Sequence, residues 1–473
     1  MRSLLRRHLS SAVLAATAAV LIAVPSALGA HATAGADVKV TNDNSNVDGG
    51  TPNPGFDAQN RQSNEKTTAI SPANPSIVAV GANDYRMVTV TGDVWIGVYV
   101  SADGGANWFN TMVPGFPSDT SAAGLASPLL GLDASGDPVV RFDAAGNLYV
   151  AAIAFNRDFD QGERPVDNLV YVAKYRYTPG TPGGTSTPNS AANPPNFTYA
   201  GTTVVRRGAV GFAVPGAAGL VGRFTDKEWM ETDTNPPSAS PCAGSVYVAY
   251  SDFRSGGRGG SSIMLSRSTD GGTSFSQPTK VSTGGASGTT YNQGSDIAVA
   301  SDGTVYVAYG AFQAGGNAFN GIAIVKSTTC GRTWSQPVFV GAYNDPQAPG
   351  VAFRTPAFAF VAVDDSNPDV VYVAYQSLAG DYDIYVQRST DGGSTYTSVA
   401  CTDTTTTTDA DGRFQLEGLP EGKVTVTASH ADFLDVTKEV DADARDVELT
   451  LSTGGTIAGT VIGKDGRSPV AGA

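Results

Sequence analysis

The pentapeptide Val-Tyr-Val-Ala-Tyr occurs three times in this chain, at Val246–Tyr250, Val305–Tyr309 and Val371–Tyr375. Looser copies stand at Leu148–Ala152 and Ile77–Val80. Short blocks of β-branched and aromatic residues predict β-strands. A turn sequence and a second short apolar run precede the copies, so the repeat begins as strand, turn, strand. Five such units predict five repeated antiparallel sheets.

A second motif marks the later half of the units, an octapeptide turn with the pattern Ser-x-Asp-x-Gly-x-x-aromatic. Complete copies begin at Ser101, Ser268 and Ser389, and a degenerate copy begins at Ser327, where Thr329 replaces the aspartate. We expect the aspartate to accept hydrogen bonds from turn amides, the second glycine to take a positive φ, and the aromatic ring to lie beneath the turn. The positions assigned to these structural turns are Ser101, Asp103, Gly105, Trp108, Ser268, Asp270, Gly272, Phe275, Ser327, Gly331, Trp334, Ser389, Asp391, Gly393 and Tyr396.

The composition agrees with an all-β fold and excludes some function classes. The 473 residues include 56 Gly and 27 Pro, which indicates many tight turns. With 41% hydrophobic and 16% charged residues, the chain is neither a disordered polyelectrolyte nor a membrane bundle. The net charge is −14, and the composition lacks the dense basic face that phosphate binding needs. The predicted fold class is therefore all-β, with no nucleic-acid partner.

The octapeptide turns match the Asp-box, or bacterial neuraminidase repeat, and the units resemble the sialidase-like β-propeller superfamily over residues 55–401. The resemblance implies a propeller in which these turns join the third and fourth strands of each blade and lie away from the active face. It also implies six blades, of which five are visible in the sequence. We therefore do not assign catalysis to the aspartates of the turns.

Strand order predicts the end of the blades at which a site lies. In an antiparallel blade, the connections from strand two to three and from blade to blade lie opposite the octapeptide turns. Arginines and acids gather in these predicted loops, and such groups can clamp anions and hydrogen-bond sugar hydroxyls. The candidate acid/base residues for glycoside hydrolysis are Asp226, Glu228 and Asp252. The candidate substrate-binding residues are Arg86, Arg223, Arg254, Arg354 and Tyr291.

Two classes of function stay open. Sialidases of the superfamily usually carry a Phe/Tyr-Arg-Ile-Pro motif, which this sequence lacks, so their catalytic set does not transfer residue by residue. One class is a sialidase-like glycoside hydrolase acting on an extracellular glycan or glycoconjugate. The other is a non-catalytic exported propeller that binds glycan, cell-wall polymer or protein. Three cysteines and three histidines make no convincing zinc site, and no cofactor or metal is expected. A monomer is expected.

The N-terminus has the layout of a secretory signal peptide. Residues 1–34 carry Arg2, Arg6 and Arg7 before an apolar run and small residues, and residues 35–54 read as a linker. No later segment is apolar enough to span a membrane. The prediction is therefore a secreted, extracellular protein without a membrane span.

Export permits a disulfide among Cys242, Cys330 and Cys401. Cys242 falls in the connection between strands one and two of its blade, and Cys330 in the three-to-four turn of the next. Both connections lie at the same end of a blade. We predict that Cys242 and Cys330 pair and leave Cys401 free, with three separate thiols as the alternative.

A threonine run at Thr404–Thr408 marks a boundary after the propeller. In residues 402–453, alternating segments such as Val424–Ala428 and glycine turns resemble the carboxypeptidase regulatory-like, transthyretin-like β-sandwich. Residues 454–473 resemble the opening strands of a second copy. The prediction is a partial sandwich of the immunoglobulin-like or prealbumin-like type.

Overall fold

The structure is a computed structural model. It describes residues 38, 40–41, 63–85, 94–158, 164–186, 190–208, 223–254, 260–282, 290–313, 321–343, 358–378, 382–399 and shorter stretches between 406 and 452. The predicted signal peptide, most of the linker, Arg86, Arg354, Cys401 and residues 454–473 lie outside the described residues.

The described chain forms five four-stranded sheets, each with its strands in chain order. Sheet 1 comprises β1 (Ser63–Ile70), β2 (Val78–Asp84), β3 (Trp95–Ser101) and β4 (Phe109–Met112). After a single-turn helix, α1 (Ala122–Leu125), sheet 2 comprises β5 (Ala134–Phe142), β6 (Leu148–Asp158), β7 (Arg164–Tyr177) and β8 (Phe197–Arg207). Sheet 3 comprises β9 (Arg223–Thr232), β10 (Val246–Arg254), β11 (Gly260–Ser268) and β12 (Thr279–Lys280).

Sheet 4 comprises β13 (Thr290–Val299), β14 (Val305–Gln313), β15 (Gly321–Ser327) and β16 (Val338–Ala342). Sheet 5 comprises β17 (Phe360–Asp364), β18 (Asn367–Leu378), β19 (Tyr382–Ser389) and β20 (Thr397–Ser398). A separate antiparallel hairpin joins β21 (Lys423–Ala428) to β22 (Val436–Asp441). The predicted all-β class and the blade-type repeat are confirmed.

The chain divides into two compact units. Unit 1 consists of Met1–Phe159 and Val170–Val204, and unit 2 of Asp160–Leu169 and Val205–Ala473. Sheets 3, 4 and 5 belong to unit 2.

The repeated pentapeptides form the second strands of sheets 3, 4 and 5, and their alternation builds the core of unit 2. On β14, Val305, Val307 and Tyr309 pack with Tyr247 and Ala249 of β10. Successive side chains of a strand point to opposite faces. The intervening residues of β14 therefore face sheet 5, where Tyr306 and Ala308 pack with residues of β18. The pentapeptide of β14 thus buries one face against sheet 3 and the other against sheet 5.

The octapeptide turns make the hydrogen bonds expected from their sequence. In the turn after β11, the Ser268 hydroxyl donates to Asp270 Oδ1 at 2.7 Å and accepts from the Gly272 amide at 2.8 Å. Asp270 Oδ1 also accepts from the Ser274 amide at 2.9 Å, and Gly272 has a φ of 81°. The turns at Ser101 and Ser389 repeat this pattern.

Acid is expected to weaken these turns. Hydrogen bonds from Ser274 and Ser268 lower the pKa of Asp270 from 3.8 to about 2. Because this pKa is depressed in the folded state, the stabilisation is complete above about pH 4 and is lost as the pH falls toward 2. Urea unfolding measured in this interval should show a shallower loss of stability for Asp270→Asn than for the unmodified chain. Asp365→Asn, in the exposed turn after β17, controls for the loss of one charge, and equal slopes for Asp270→Asn and the unmodified chain would contradict the prediction.

The degenerate turn after β15 has a threonine in place of the aspartate and keeps the same hydrogen bond. Thr329 Oγ1 replaces the aspartate oxygen and accepts from the Thr333 amide at 3.0 Å. Cys330 takes a φ of 57°, at the position where the other turns have Gly104, Gly271 and Gly392. A left-handed conformation is unfavourable for a residue with a Cβ, so this turn carries backbone strain.

A disulfide joins Cys330 to Cys242, with a Cα–Cα distance of 5.4 Å. It connects the turn after β15 of sheet 4 to the β9–β10 connection of sheet 3, which is the pairing predicted from the sequence. Arg267 Nη1 donates to the Cys330 carbonyl oxygen at 2.6 Å and adds a polar contact beside it. Sheets 3 and 4 are therefore covalently linked at the end that carries the octapeptide turns.

Candidate functional site

The candidate residues of sheet 3 lie in strands where the sequence analysis expected loops. β9 begins at Arg223 and β10 ends at Arg254, and these two residues are register partners. The pairing continues past the pentapeptide to the end of β10, so both strands are longer than the apolar pattern indicates. Because Val246 pairs with Ser268, this end of the sheet is opposite the octapeptide turn.

Asp252 is the centre of a charged cluster at this end. It is 2% exposed, and its Oδ1 lies 3.1 Å from Arg223 Nε. Its Oδ2 accepts from both Nε and Nη2 of Arg254 at 3.2 Å. The Arg223 side chain is 28% exposed and that of Arg254 is 53% exposed. One buried carboxylate therefore orients two guanidinium groups that reach toward solvent.

Buried polar residues form hydrogen bonds next to the charged cluster. Thr225 is the register partner of Asp252 and is fully buried. Asn168 of β7, 2% exposed, donates from Nδ2 to Thr225 Oγ1 at 3.0 Å, and the backbone carbonyl of Asn168 accepts from the Gly208 amide at 2.8 Å. These hydrogen bonds fix β9 next to Asp252, so the orientation of the carboxylate depends on residues distant in sequence.

A β-bulge in β9 lies next to the cluster. The register shifts between Asp226 and Trp229, opposite Tyr250, and Lys227 within the bulge has a φ of 51°. The corresponding bulge of β13 has Gly294 at φ 66°, the residue for which this conformation carries little strain. The first strands of sheets 1 and 2 have the same bulge, with Glu65 at φ 50° and Asp137 at φ 61°, so the bulge is a repeated feature of these sheets. In β9 it places Lys227 next to the cluster.

Two buried titratable groups adjoin the bulge. Glu228 is 3% exposed, and Tyr250 is 1% exposed. Burial, with smaller effects from Ser266, Arg206, Asp252 and Arg223, raises the pKa of Tyr250 to about 12. The phenol is thus neutral near pH 7. Partial burial, and then the charge of Arg254, lower the pKa of Lys280 on β12.

The remaining candidates are Asp226, Tyr291, Arg86 and Arg354. Asp226 lies on β9 in the bulge, where its Oδ1 accepts from the neighbouring Lys227 amide at 2.9 Å. Tyr291 lies on β13 of sheet 4, opposite Phe312, and is 37% exposed. The structure thus brings together Arg223, Asp252 and Arg254, with Asp226 and Glu228 on the same strand pair. Arg86 and Arg354 lie outside the described residues.

Sequence reasoning missed Asn168, Thr225 and Lys227 as parts of this site. In the sequence, Lys227 stands between the candidate acids Asp226 and Glu228. That position is the one signal by which the sequence could have pointed to Lys227. Its bulge is a property of strand register, which no local pattern encodes. Asn168 lies 57 residues before Thr225, so no spacing rule connects the two.

Comparison with known families identifies the C-terminal part of the chain. Residues 379–452 match the family described as the carboxypeptidase regulatory-like domain. The matched range begins before β19 of sheet 5, earlier than the boundary predicted at residue 402, and ends beside the predicted boundary at 453. This part of the resemblance is confirmed.

Solved structures give distant likenesses, and no curated protein matches the chain. A Dyadobacter fermentans protein of unknown function is 11% identical, with 73% of this chain and 84% of that chain covered and a TM-score of 0.39. Trypanosoma rangeli sialidase in complex with the inhibitor DANA is 11% identical, with 81% and 53% covered and a TM-score of 0.39. Penicillium chrysogenum alpha-L-arabinanase complexed with arabinobiose is 11% identical, with 72% and 86% covered and a TM-score of 0.41. These likenesses assign no role to any residue.

The class of the protein therefore follows from its own sheets and from the family match. It is an all-β chain of propeller-type four-stranded sheets and carries a carboxypeptidase regulatory-like domain at its C-terminal end. Among the described residues, no helix is both long and apolar enough to cross a bilayer.

Proposed function

We propose that this protein is an exported propeller that binds an acidic glycan at the Asp252 cluster. The observation that carries the proposal is the buried Asp252 carboxylate between Arg223 and Arg254, with the Arg254 side chain 53% exposed. The predicted signal peptide supports export, and with it an extracellular ligand. Cell-wall polymer and protein are the other ligand classes that the sequence left open.

The cluster can bind an anion because Asp252 contacts only some of the nitrogen atoms of each guanidinium. Arg254 contacts Asp252 through Nε and Nη2, so this ion pair does not use Nη1. A guanidinium held in place can bind a carboxylate or sulfate in a bidentate manner with little further ordering cost. Lys227 and Lys280 add positive charge nearby, while Asp226 can accept hydrogen bonds from sugar hydroxyls.

Hydrolysis is a second candidate, favoured by the burial of Glu228. Retaining and inverting glycosidases need two carboxyl groups, and one of them acts as an acid in a water-poor environment. Glu228 is 3% exposed and follows Asp226 on the same bulge. In this narrower proposal, which includes sialoside hydrolysis, Glu228 is the acid/base and Asp226 its partner, while Asp252 orients the two arginines.

Binding is expected to depend on Arg254. Loss of charged hydrogen bonds to a carboxylate costs about 1.5–3 kcal/mol, so Arg254→Ala should weaken binding of sialyllactose about 10- to 100-fold in calorimetry. Lactose, which has no carboxylate, should bind weakly to both proteins. Arg332→Ala, an exposed arginine in the turn at the other end of sheet 4, is the matched control and should bind normally. Equal affinities for sialyllactose and lactose would contradict an anion site.

Catalysis is tested separately with 4-methylumbelliferyl sialoside and a panel of other glycosides. A hydrolase should release fluorophore and lose at least about 100-fold in kcat with Glu228→Gln, because general acid–base catalysis contributes 10²–10⁴-fold. Circular dichroism and retained sialyllactose binding show that the variant is folded. A chain that binds the glycan and releases nothing is a binding protein and not a glycosidase.

A further inference from the structure

We propose that Asn168 is a positioning residue of the anion site, which holds the strand of Arg223 and so sets that guanidinium against Asp252. This role rests on the proposed function, because it concerns the same cluster. Asn168 lies on β7 and is 2% exposed. Asn168, Arg223 and Asp252 all belong to unit 2, so their contacts lie within one compact unit.

The side chain of Asn168 binds three polar atoms of a single residue on β9. Its Nδ2 donates to the carbonyl oxygen of Thr225 at 2.5 Å and to Thr225 Oγ1 at 3.0 Å. Its Oδ1 accepts from the Thr225 amide at 3.4 Å. Because β9 is an edge strand of sheet 3, the backbone groups that point away from β10 need a partner other than a strand of that sheet. The carboxamide of Asn168 is this partner at Thr225.

A glycine brings Asn168 close to Arg223 as well. The Gly208 amide donates to the backbone carbonyl of Asn168 at 2.8 Å. A Cβ at Gly208 would overlap Asn168 Oδ1 and would lie 2.6 Å from the carbonyl oxygen of Arg223. This close approach therefore requires glycine. Asn168 thus contacts Thr225 directly and reaches the backbone of Arg223 through Gly208.

A contact of this kind recurs at other boundaries between sheets. It joins a residue two positions before the positive-φ residue of a first strand to the start of the third strand of the preceding sheet. In unit 1, the Ser135 amide of β5 donates to the carbonyl of Val94, next to β3, at 3.0 Å. In unit 2, Ser261 Oγ of β11 donates to the carbonyl of Asn292 on β13 at 2.9 Å. The contact of Asn168 is the copy that adjoins the charged cluster.

The strand register carries the position of Thr225 to the ion pair. Thr225 is the register partner of Asp252, and Arg223 lies two residues earlier on the same side of β9. Arg223 Nε lies 3.1 Å from Asp252 Oδ1, so a shift of β9 at Thr225 changes this distance. Arg254 and Asp252 both lie on β10, and their contact stays within that strand. Loss of Asn168 should therefore weaken the contact of Arg223 and spare that of Arg254.

The first test needs no glycan. Urea unfolding of Arg223→Ala, Asp252→Ala and the double variant measures the coupling between the two residues, in the otherwise unmodified chain and again with Asn168→Ala. The coupling should fall to less than about half when Asn168 is replaced. Ser261→Ala, which removes the corresponding bond between sheets 3 and 4, is the matched control and should leave the coupling unchanged. Full coupling in the Asn168→Ala chain, or no coupling in the unmodified chain, would overturn the proposal.

The second test measures sialyllactose binding by calorimetry. Asn168→Ala should weaken binding about 10-fold, but it should change the affinity of the Arg223→Ala chain less than about twofold, because it acts through that arginine. Ser261→Ala should bind normally. Equal losses with and without Arg223 would show a merely structural role and overturn the proposal. An unmodified chain that binds no sialyllactose contradicts the proposed anion site instead, and the urea cycle then decides the role of Asn168.

Circular dichroism checks folding, and Thr225→Val is the second, milder variant. It removes the Oγ1 acceptor of Asn168 and keeps the volume of the side chain, so it should fold and lower the coupling in the same direction by a smaller amount. If Asn168→Ala does not fold, Thr225→Val takes its place in both tests. Unchanged coupling in that variant would then overturn the proposal.

Discussion

Removal of the disulfide by the double substitution Cys242→Ala, Cys330→Ala should lower the free energy of unfolding by about 4–5 kcal/mol. The bond closes a loop with a sequence separation of 88 residues, and the entropy that such a cross-link removes from the unfolded chain corresponds to that amount at 25 °C. This is a large share of the 5–15 kcal/mol that stabilises a typical domain. Urea unfolding monitored by tryptophan fluorescence measures the change.

The backbone conformation of Cys330 allows two disulfide-free variants, with alanine and with glycine at this position, to be compared. Its φ of 57° is unfavourable for any residue with a Cβ, and the other turns have glycine at this position. The pair Cys242→Ala, Cys330→Gly lacks the disulfide as well but relieves this strain, so it should be about 1 kcal/mol more stable than the alanine pair. Glycine and alanine variants of equal stability would show that the left-handed turn carries no strain.

A reductant controls for effects other than the cross-link. Dithiothreitol should lower the stability of the unmodified chain to nearly that of the alanine pair, and it should leave both double variants unchanged. If the unmodified chain unfolds at the same urea concentration with and without the reductant, then the disulfide does not stabilise the fold as expected.

The disulfide and the turns were predictable because their determinants are local or topological. Asp270 bonds to an amide four residues further on, and such a turn can be recognised from its own octapeptide. Cys242 and Cys330 lie far apart in sequence, but antiparallel strand order alone places their connections at the same end of neighbouring sheets. The all-β class follows in the same way from the repeated pentapeptides.

The details of the site depend on contacts that the sequence does not encode locally. Lys227 adopts a conformation that its own preferences oppose, and only the register of β9 against β10 imposes it. The extension of β10 to Arg254 depends on pairing with β9 and β11 beyond the apolar pattern. The sequence could therefore nominate Arg223, Asp252 and Arg254, but not their arrangement around one carboxylate.

That arrangement gives the last prediction, for Asp252→Ala. Removing one partner of a fully buried ion pair costs about 3–5 kcal/mol, because the other charge stays buried without compensation. Here the partners keep some access to water, with Arg223 28% and Arg254 53% exposed, so we expect a loss near 2–3 kcal/mol in urea unfolding. Arg254→Ala should cost less than about 1 kcal/mol, since the exposed guanidinium loses little on unfolding.

A double-mutant cycle separates the ion pair from the other contacts of Asp252. If Arg223 and Asp252 stabilise the fold through each other, then the double variant Arg223→Ala, Asp252→Ala loses about 1–2 kcal/mol less than the sum of the single changes. Additive losses would show that burial of the side chain, and not its charge, accounts for the effect. The same variants separate stability from recognition, because Arg254→Ala should keep the fold and weaken sialyllactose binding, whereas Asp252→Ala should lower both stability and binding. An Asp252 variant that binds sialyllactose normally would mean that the arginines need no carboxylate to orient them, and the proposed site would then lose its central residue.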